Sequence, residues 1–480
     1  MRQVSTVPSS VSVVVIGAGI SGLTAAHALA AAGHDVVVLD RRPAAGGRIH
    51  TERSNGFLVE HGPHSMITPA PATESLIDAS GLAGERIDRG SRVRQRYLVR
   101  HGHVHGLPLD PLGFFSSGFF SLSGRLRLLG EPLVRPNNDD ETVADFVRRR
   151  FGPELLDYVF DPLVGGLYAG DADRLSVSAL FPQLKRLERT YGSIIRGALA
   201  VRRAGQCGGF DPRRRRLFSF REGMSTLPER LVSRLAGRVR FGVRVEAIDA
   251  VRNGGYRLAL RDGETPASLR ARCVIVALPA YAAARVLQPL QAAAASGLAA
   301  IEHPPLAVAA LGFRACDVDH PLDGLGVLTP SVEARGVLGV LFSSTLFAAR
   351  APDGHVLLTA YVGGARQPEL ALLPRAELEQ LVLHELRDLL GVCGMPVFSS
   401  VRYWQRGLPQ PDLGHALRIE ALRALECEWP GVFVTGNYVA GVSTAACIDA
   451  ALSAAQGVTS FMAAGDGTRR GRPSLAAAPA

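Results

Sequence analysis

Residues Val11 to Asp40 read VSVVVIGAGISGLTAAHALAAAGHDVVVLD, and the fold is decided by their order. Val11–Ile16 is a β-branched run, as a strand buried on both faces of a parallel sheet requires. Gly17-Ala18-Gly19-Ile20-Ser21-Gly22 follows directly and opens an apolar helical stretch, Leu23–Ala32; a second strand, Asp35–Leu39, ends at Asp40. Gly17 permits the tight turn, Gly19 lets a pyrophosphate approach the backbone, and Gly22 allows close helix-to-strand packing. The helix N-terminus then offers unpaired N–H groups and the positive end of a dipole to the phosphates. Asp40, eighteen residues after Gly22, is placed to accept ribose hydroxyls and to repel a 2′-phosphate. Strand, turn, helix and terminal acid together specify a dinucleotide.

The next residues choose between dinucleotides. Arg42-Pro43-Ala44-Ala45-Gly46-Gly47-Arg48-Ile49 resembles the GGR segment of the amine oxidase and protoporphyrinogen oxidase superfamily of flavoproteins, which implies FAD. Gly46 and Gly47 can adopt the positive φ of a loop wrapping the pyrophosphate, and Arg48 offers a forked donor to it. Arg41, beside Asp40, joins the candidate cofactor set. No second GxGxxG on a strand-to-helix turn follows, so no nicotinamide domain is expected. Electrons from the flavin then pass most simply to dioxygen.

The chain has 480 residues, 47% of them hydrophobic, too many for one core and ample for two or three. Despite a mean hydropathy of +0.14, no uncharged apolar run reaches the roughly 18 residues that span a bilayer. MRQVSTVPSS leads into a strand without a secretory apolar core, and a cytoplasmic protein is expected. Six scattered cysteines without metal-ligand spacing predict neither disulfides nor a metal. Of 53 basic residues only Lys185 is a lysine, and the net charge is +9. Dispersed arginines not interleaved with exposed aromatics argue against nucleic acid; an anionic substrate or membrane surface fits better.

The pattern beyond residue 41 predicts an α/β (α+β) protein: a Rossmann-like FAD-binding domain, a β-rich substrate domain and a helical membrane-binding domain. The FAD domain takes residues 11–90, 205–282 and 405–463, the helical domain 91–204, the substrate domain 283–404, and 464–480 is a disordered tail. Thr142–Phe151 and Glu154–Val164 read as amphipathic helices, Arg238–Ile248 as a strand pair containing Val245, and Cys273–Leu278 as a buried strand ended by Pro279. Val432–Tyr438 feeds Gly436, Gly441 and Val442 into a helix, Ala445–Met462, a second strand-to-helix turn suited to the flavin.

Three further segments sharpen the resemblance: Glu60-His61-Gly62-Pro63-His64-Ser65, Asp161-Pro162-Leu163-Val164-Gly165-Gly166-Leu167-Tyr168-Ala169-Gly170-Asp171, and Tyr191-Gly192-Ser193-Ile194-Ile195-Arg196-Gly197. From about residue 11 to about residue 460 the chain is similar to the oxygen-dependent protoporphyrinogen oxidases. The resemblance implies that Gly62, Pro63, His64, Val245, Gly436, Gly441 and Val442 meet FAD, and that Arg96 pairs with a substrate propionate, a contact suited to guanidinium. It implies that Leu163 and Gly166 pack on the macrocycle, with the Gly166 carbonyl toward the pyrrole N–H groups, and that Leu325, Leu328 and Tyr361 sandwich the rings. Protoporphyrinogen IX becomes the expected substrate, dioxygen the acceptor and hydrogen peroxide the product; a homodimer is left open. The chain departs from the family at Ala446, where an aspartate usually precedes the cysteine.

Rival readings differ in chemistry. An amine oxidase would set a lysine at the flavin, but Lys185 lies far from any flavin motif. A coproporphyrinogen III oxidase would need extra arginines, which the sequence does not place. A non-catalytic tetrapyrrole-binding flavoprotein would keep the fold without turnover. The segment Leu107–Val134, with Gly113-Phe114-Phe115-Ser116-Ser117-Gly118-Phe119-Phe120, fits either peripheral membrane contact or the core of the helical domain.

Overall fold

Val13, Val14 and Val15 have no solvent exposure because β1 (Ser10–Ile16) is an inner strand of a seven-stranded sheet. The computed structural model describes residues 8–68, 70–108, 113, 117–204, 216–252 and 254–465. β2 (Val36–Asp40) and the strand Thr265–Val276 flank β1 in parallel. Val239–Phe241 extends the sheet in parallel beyond β2, and Val432–Val434 pairs with the end of Thr265–Val276. The expected strand pair near Val245 is two separate strands: Val239–Phe241 joins β2, whereas Val243–Ala250 pairs antiparallel with Tyr256–Asp262. Alternate valines of β1 face opposite cores. Val13 and Val15 pack against α1 (Ile20–Ala31) and the last helix, Thr444–Ala463, while Val14 and Ile16 meet helices Ala280–Leu287, Ala292–Ala299 and His415–Glu428.

A second seven-stranded sheet runs, in spatial order, Phe398–Trp404, Leu306–Arg314, His355–Gly363, Gly339–Phe342, Gly324–Leu328, Gln95–Arg100 and His103–Pro108. Helix Arg375–Leu390 covers one face. Two boundaries move relative to expectation. Residues 95–108, expected to open the helical domain, form a hairpin that joins this sheet through a parallel pairing with Gly324–Leu328; long-range pairing leaves no local periodicity to read. Residue 283 lies inside helix Ala280–Leu287, whose Ala283, Ala284, Val286 and Leu287 pack on the first sheet; after it the chain re-enters the second sheet at Leu306.

Helices Leu122–Leu129, Val143–Arg150, Asp161–Tyr168, Pro182–Tyr191 and Ile194–Arg203 form the third unit around Phe146, Val147, Leu156 and Val164. Thr142 and Ser193 cap two of them by accepting the Asp145 and Arg196 N–H groups at 3.0 and 3.1 Å. Within lies a buried ionic cluster. Arg150 bonds Glu131 at 3.0 Å and Glu188 at 2.6 Å, and Lys185 bonds Glu141 at 2.7 Å and Glu188 at 3.2 Å. Lys185 is thus engaged by two carboxylates within the helical unit. The expected Gly- and Arg-rich loop Ala204–Arg216, the tail, and Phe114, Phe115 and Ser116 lie largely or wholly outside the described residues. Among the described residues no helix is long and apolar enough to cross a membrane.

Candidate functional site

The glycine turn builds one end of the site. α1 begins at Ile20, earlier than the expected Leu23, so Ile20, Ser21 and Gly22 form its first turn; Gly19, extended at φ −77° and ψ 178°, caps it without a side chain. A Cβ on Gly22 would stand 1.8 Å from the Gly17 carbonyl oxygen, and Gly17 itself has φ +110°, so neither position admits a side chain. The Ala18 N–H donates to Asp40 Oδ2 at 2.7 Å and the Arg42 N–H to Oδ1 at 2.8 Å. Asp40 thus clamps the turn and keeps further lone pairs for hydroxyl donors.

The second glycine loop abuts the first. The Gly46 N–H donates to the Ala18 carbonyl at 2.9 Å, and a Cβ on Gly47 (φ +62°) would lie 3.1 Å from Gly19 Cα. Arg42, not Arg41, secures this loop, donating to the Gly47 carbonyl at 2.8 Å; Arg41 is exposed. Arg48 donates to the Arg406 carbonyl and lies 4.9 Å above the Trp404 ring. Its described partners are a carbonyl, an aromatic face and the Tyr281 phenol; burial pushes its pKa down, with Tyr281 opposing. A half-buried guanidinium without a carboxylate, beside two side-chain-free loops and an uncapped helix N-terminus, fits a pyrophosphate. The residues present therefore fit FAD.

Ser21, in the first turn of α1, lies by Cys447, in the first turn of helix Thr444–Ala463, whose thiol donates to the Gly441 carbonyl at 3.8 Å; burial pushes the Cys447 thiol up to about 11 and Ser21 eases it. Two helix N-termini therefore converge here. That turn holds no acid, in keeping with Ala446, and Ser443 caps it by accepting the Ala446 N–H at 3.1 Å. Gly436 (φ +150°) and Gly441 (φ +118°) bend the chain toward this helix, with Val442 half-buried beyond them. Val245 is buried in the sheet core beside Leu39, at a register slip of its strand.

The hairpin of β3 (Thr51–Ser54) and β4 (Phe57–Glu60) carries the Glu60–Ser65 segment to the same place. A Cβ on Gly62 would stand 1.9 Å from the Arg48 carbonyl oxygen. His61 Nε2 and the Ser400 hydroxyl both meet Glu52 Oε2 at 2.7 Å, and the Trp404 Nε1–H donates to the His61 carbonyl at 2.8 Å. The Glu60 carboxylate accepts the Met224 N–H at 2.7 Å and the Thr51 hydroxyl at 2.8 Å. Burial nevertheless pushes its pKa up to about 7. Pro63 leads to His64, whose ring meets Tyr361 edge-on at 6.0 Å; burial, with Arg350 and His61 adding, pushes its pKa down to about 3, so the imidazole is neutral.

Tyr361 belongs to a row across the second sheet. Leu98, Leu328, Gly339, Tyr361, Val308 and Arg402 are successive cross-strand partners, so their side chains share one face. Leu306 and Trp404, paired two residues on, share it too. Arg96 lies two residues before Leu98 and therefore projects to the same side, whereas Tyr97 and Val99 enter the core under helix Arg375–Leu390. Gly166 completes the wall: a Cβ there would strike Leu328 Cδ2 at 2.5 Å, and Leu163, three residues before it on the same helix, is half-buried. Leu325, which strict alternation would turn away from Leu328, sits where the register slips between Gly324 and Val327; it packs with Leu341, two residues from Gly339 and so on the face of the row, against Val93, Leu346 and Phe347. The structure thus gathers Arg96, Leu328 and Tyr361 on one face, with Gly166 against it.

Sequence reasoning missed Trp404, Arg42 and Glu52. Trp404 had a signal, since the chain holds only two tryptophans; Arg42 and Glu52 had none beyond adjacency to motifs.

Residues 20–459 match the family described as flavin containing amine oxidoreductase. A rice (Oryza sativa subsp. japonica) chloroplastic protoporphyrinogen oxidase is 34% identical over 94% of this chain and 89% of its own length. A coproporphyrinogen III oxidase of Bacillus subtilis (strain 168) is 30% identical over 94% and 98%. Among solved structures, cyclohexylamine oxidase from Brevibacterium oxydans superposes with a TM-score of 0.70 over 94% of this chain and 99% of its own, at 19% identity, a likeness of fold. Turn, arginine loop and matched length lead to one conclusion: the chain belongs to the flavin-containing amine oxidoreductases and is an oxidoreductase with FAD as its cofactor.

Proposed function

We propose that this protein oxidises protoporphyrinogen IX to protoporphyrin IX, with dioxygen as acceptor and hydrogen peroxide as product. The observation that carries the reading is the shared sheet face: Leu328, with Gly166 against it, and Tyr361, and Arg96 at one end. A flat apolar ring bearing carboxylates suits such a face. Bound FAD supplies a hydride acceptor. Arg96 holds a propionate through its forked donors; Leu163, Leu328 and Tyr361 exclude water and keep the macrocycle flat, so positioning supplies much of the rate. Gly166 leaves room for ring contact at its carbonyl.

The test offers FAD-loaded protein protoporphyrinogen IX and coproporphyrinogen III, with and without dioxygen, and follows porphyrin fluorescence. Faster oxidation of protoporphyrinogen, dependent on dioxygen, is expected. Preference for coproporphyrinogen would favour the activity named in the Bacillus relative, and a flavin that neither compound bleaches anaerobically would leave a non-catalytic binder. Arg96→Ala should raise KM about tenfold while kcat changes less; an unchanged KM counts against the propionate contact.

Peripheral membrane attachment on the cytoplasmic face belongs to the same reading. Leu122, Leu126, Leu129 and Leu133 are 73%, 59%, 73% and 85% exposed at helical spacing, flanked by Arg125 and Arg127, an apolar stripe beside cations. Co-sedimentation with anionic vesicles, lost in Leu126→Glu/Leu129→Glu, checks it.

A further inference from the structure

Arg96 stands between two residues tied to a single carboxylate. The Tyr97 hydroxyl donates to Asp323 Oδ1, and the Gln95 amide donates to Oδ2 at 3.4 Å. The Arg94 N–H donates to the Asp323 carbonyl at 2.9 Å. Three of the residues around Arg96 therefore hang on Asp323, at the point where Gln95 pairs with Gly324 and the register slips. The packing is close. A Cβ on Gly324 would come within 2.6 Å of the Tyr97 ring, and one on Gly106 within 2.1 Å of Gln95 Oε1. His320 closes the group, its ring edge-on to Tyr97 at 4.5 Å.

Successive residues of a strand point to opposite faces. Holding Gln95 and Tyr97 on the core side forces Arg96 onto the face of Leu328 and Tyr361. A bulge without such a tie lets a strand slip, and a slip of one residue would turn Arg96 into the core.

We propose that Asp323 is a positioning residue for substrate: it aims Arg96 at the substrate carboxylate by anchoring Gln95 and Tyr97. The inference rests on the proposed Arg96–carboxylate contact. Asp323 donates nothing to substrate itself, so its effect must pass through Arg96.

The test is a cycle of four FAD-loaded proteins: wild type, Arg96→Ala, Asp323→Ala and the double variant. Porphyrinogen KM and kcat, flavin content and circular dichroism are measured for each. Asp323→Ala is expected to raise KM about fivefold, with kcat within about twofold and flavin content unchanged. In the Arg96→Ala background the same change should move KM less than about twofold. Asp323→Asn, which keeps an acceptor for Tyr97, should restore most of the affinity. Tyr97→Phe, which removes one tie and leaves the ring in place, should repeat the loss in milder form, and it carries the test should Asp323→Ala not fold. An Asp323→Ala or Tyr97→Phe protein with wild-type KM overturns the proposal, as does an equal KM rise in both Arg96 backgrounds. A wild-type KM in Arg96→Ala alone instead overturns the carboxylate contact beneath it.

Discussion

The helical unit and the cofactor junction treat buried charge in opposite ways. Around Arg150, with no exposure, three cations meet three carboxylates: Arg149, Arg150 and Lys185 against Glu131, Glu141 and Glu188. Glu131 also accepts the Ser193 hydroxyl and the Ile194 N–H at 2.5 and 2.9 Å. Around Arg48 the partners are a carbonyl, an indole face and a phenol. A neutralised cluster holds a structure together, because removing one member leaves an unpaired buried charge. A guanidinium without a carboxylate is costly in the empty protein and becomes useful when an anion arrives. The difference separates a structural use of arginine from a binding one in a chain where arginine is nearly the sole cation.

Breaking the compensated cluster should have the largest effect. Arg150→Ala is expected to destabilise the fold by about 3–5 kcal/mol in urea denaturation, with the flavin content of the folded fraction unchanged; a loss below about 1 kcal/mol would mean the cluster is hydrated. Glu60 comes next, a buried carboxyl in the cofactor region to which, among the described residues, no cation bonds directly. Its folded pKa, about 7, lies above the ordinary 4.5, so the folded state holds the proton more tightly. The associated stability is complete below pH 4.5 and is lost as pH rises through about 7. Wild type should lose on the order of 3 kcal/mol over that interval relative to Glu60→Gln; parallel pH profiles of melting would contradict this.

Arg48→Ala sharpens the contrast further. Reconstitution of apoprotein should show FAD affinity reduced about thirtyfold, roughly 2 kcal/mol, while the apoprotein melts no lower than wild type. A large apoprotein destabilisation would place Arg48 with the structural arginines. The smallest effect is expected from Ala446→Asp, which returns an acid to the first turn of helix Thr444–Ala463. It should add about 0.3–1 kcal/mol in thermal melting; an unchanged melting temperature would mean that the Ser443 cap already satisfies this helix end.

The dinucleotide end was legible because its signals are local. A β-branched run, three glycines in six residues and an acid closing the next strand specify backbone conformations that few other residues tolerate. Even so, the helix start was misplaced, since the N–H groups offered to phosphate belong to the glycine turn itself. The Glu60–Ser65 segment and Arg96 were found through resemblance, while Trp404 went unnoticed because its contacts with Arg48 and His61 join residues hundreds of positions apart. The membership of residues 95–108 in the second sheet is illegible for the same reason, since it rests on pairing with Gly324–Leu328.

By itself the sequence determined a dinucleotide turn, its FAD-type arginine loop and a multi-domain α/β chain, because each rests on short-range geometry. Only the tertiary structure decided which side of a strand Arg96 faces, that a bulge seats Leu325 beside Leu341, and that one tryptophan of the second sheet meets Arg48 and His61. Strand register is set by partners distant along the chain, and a shift of one residue exchanges every inward side chain for an outward one.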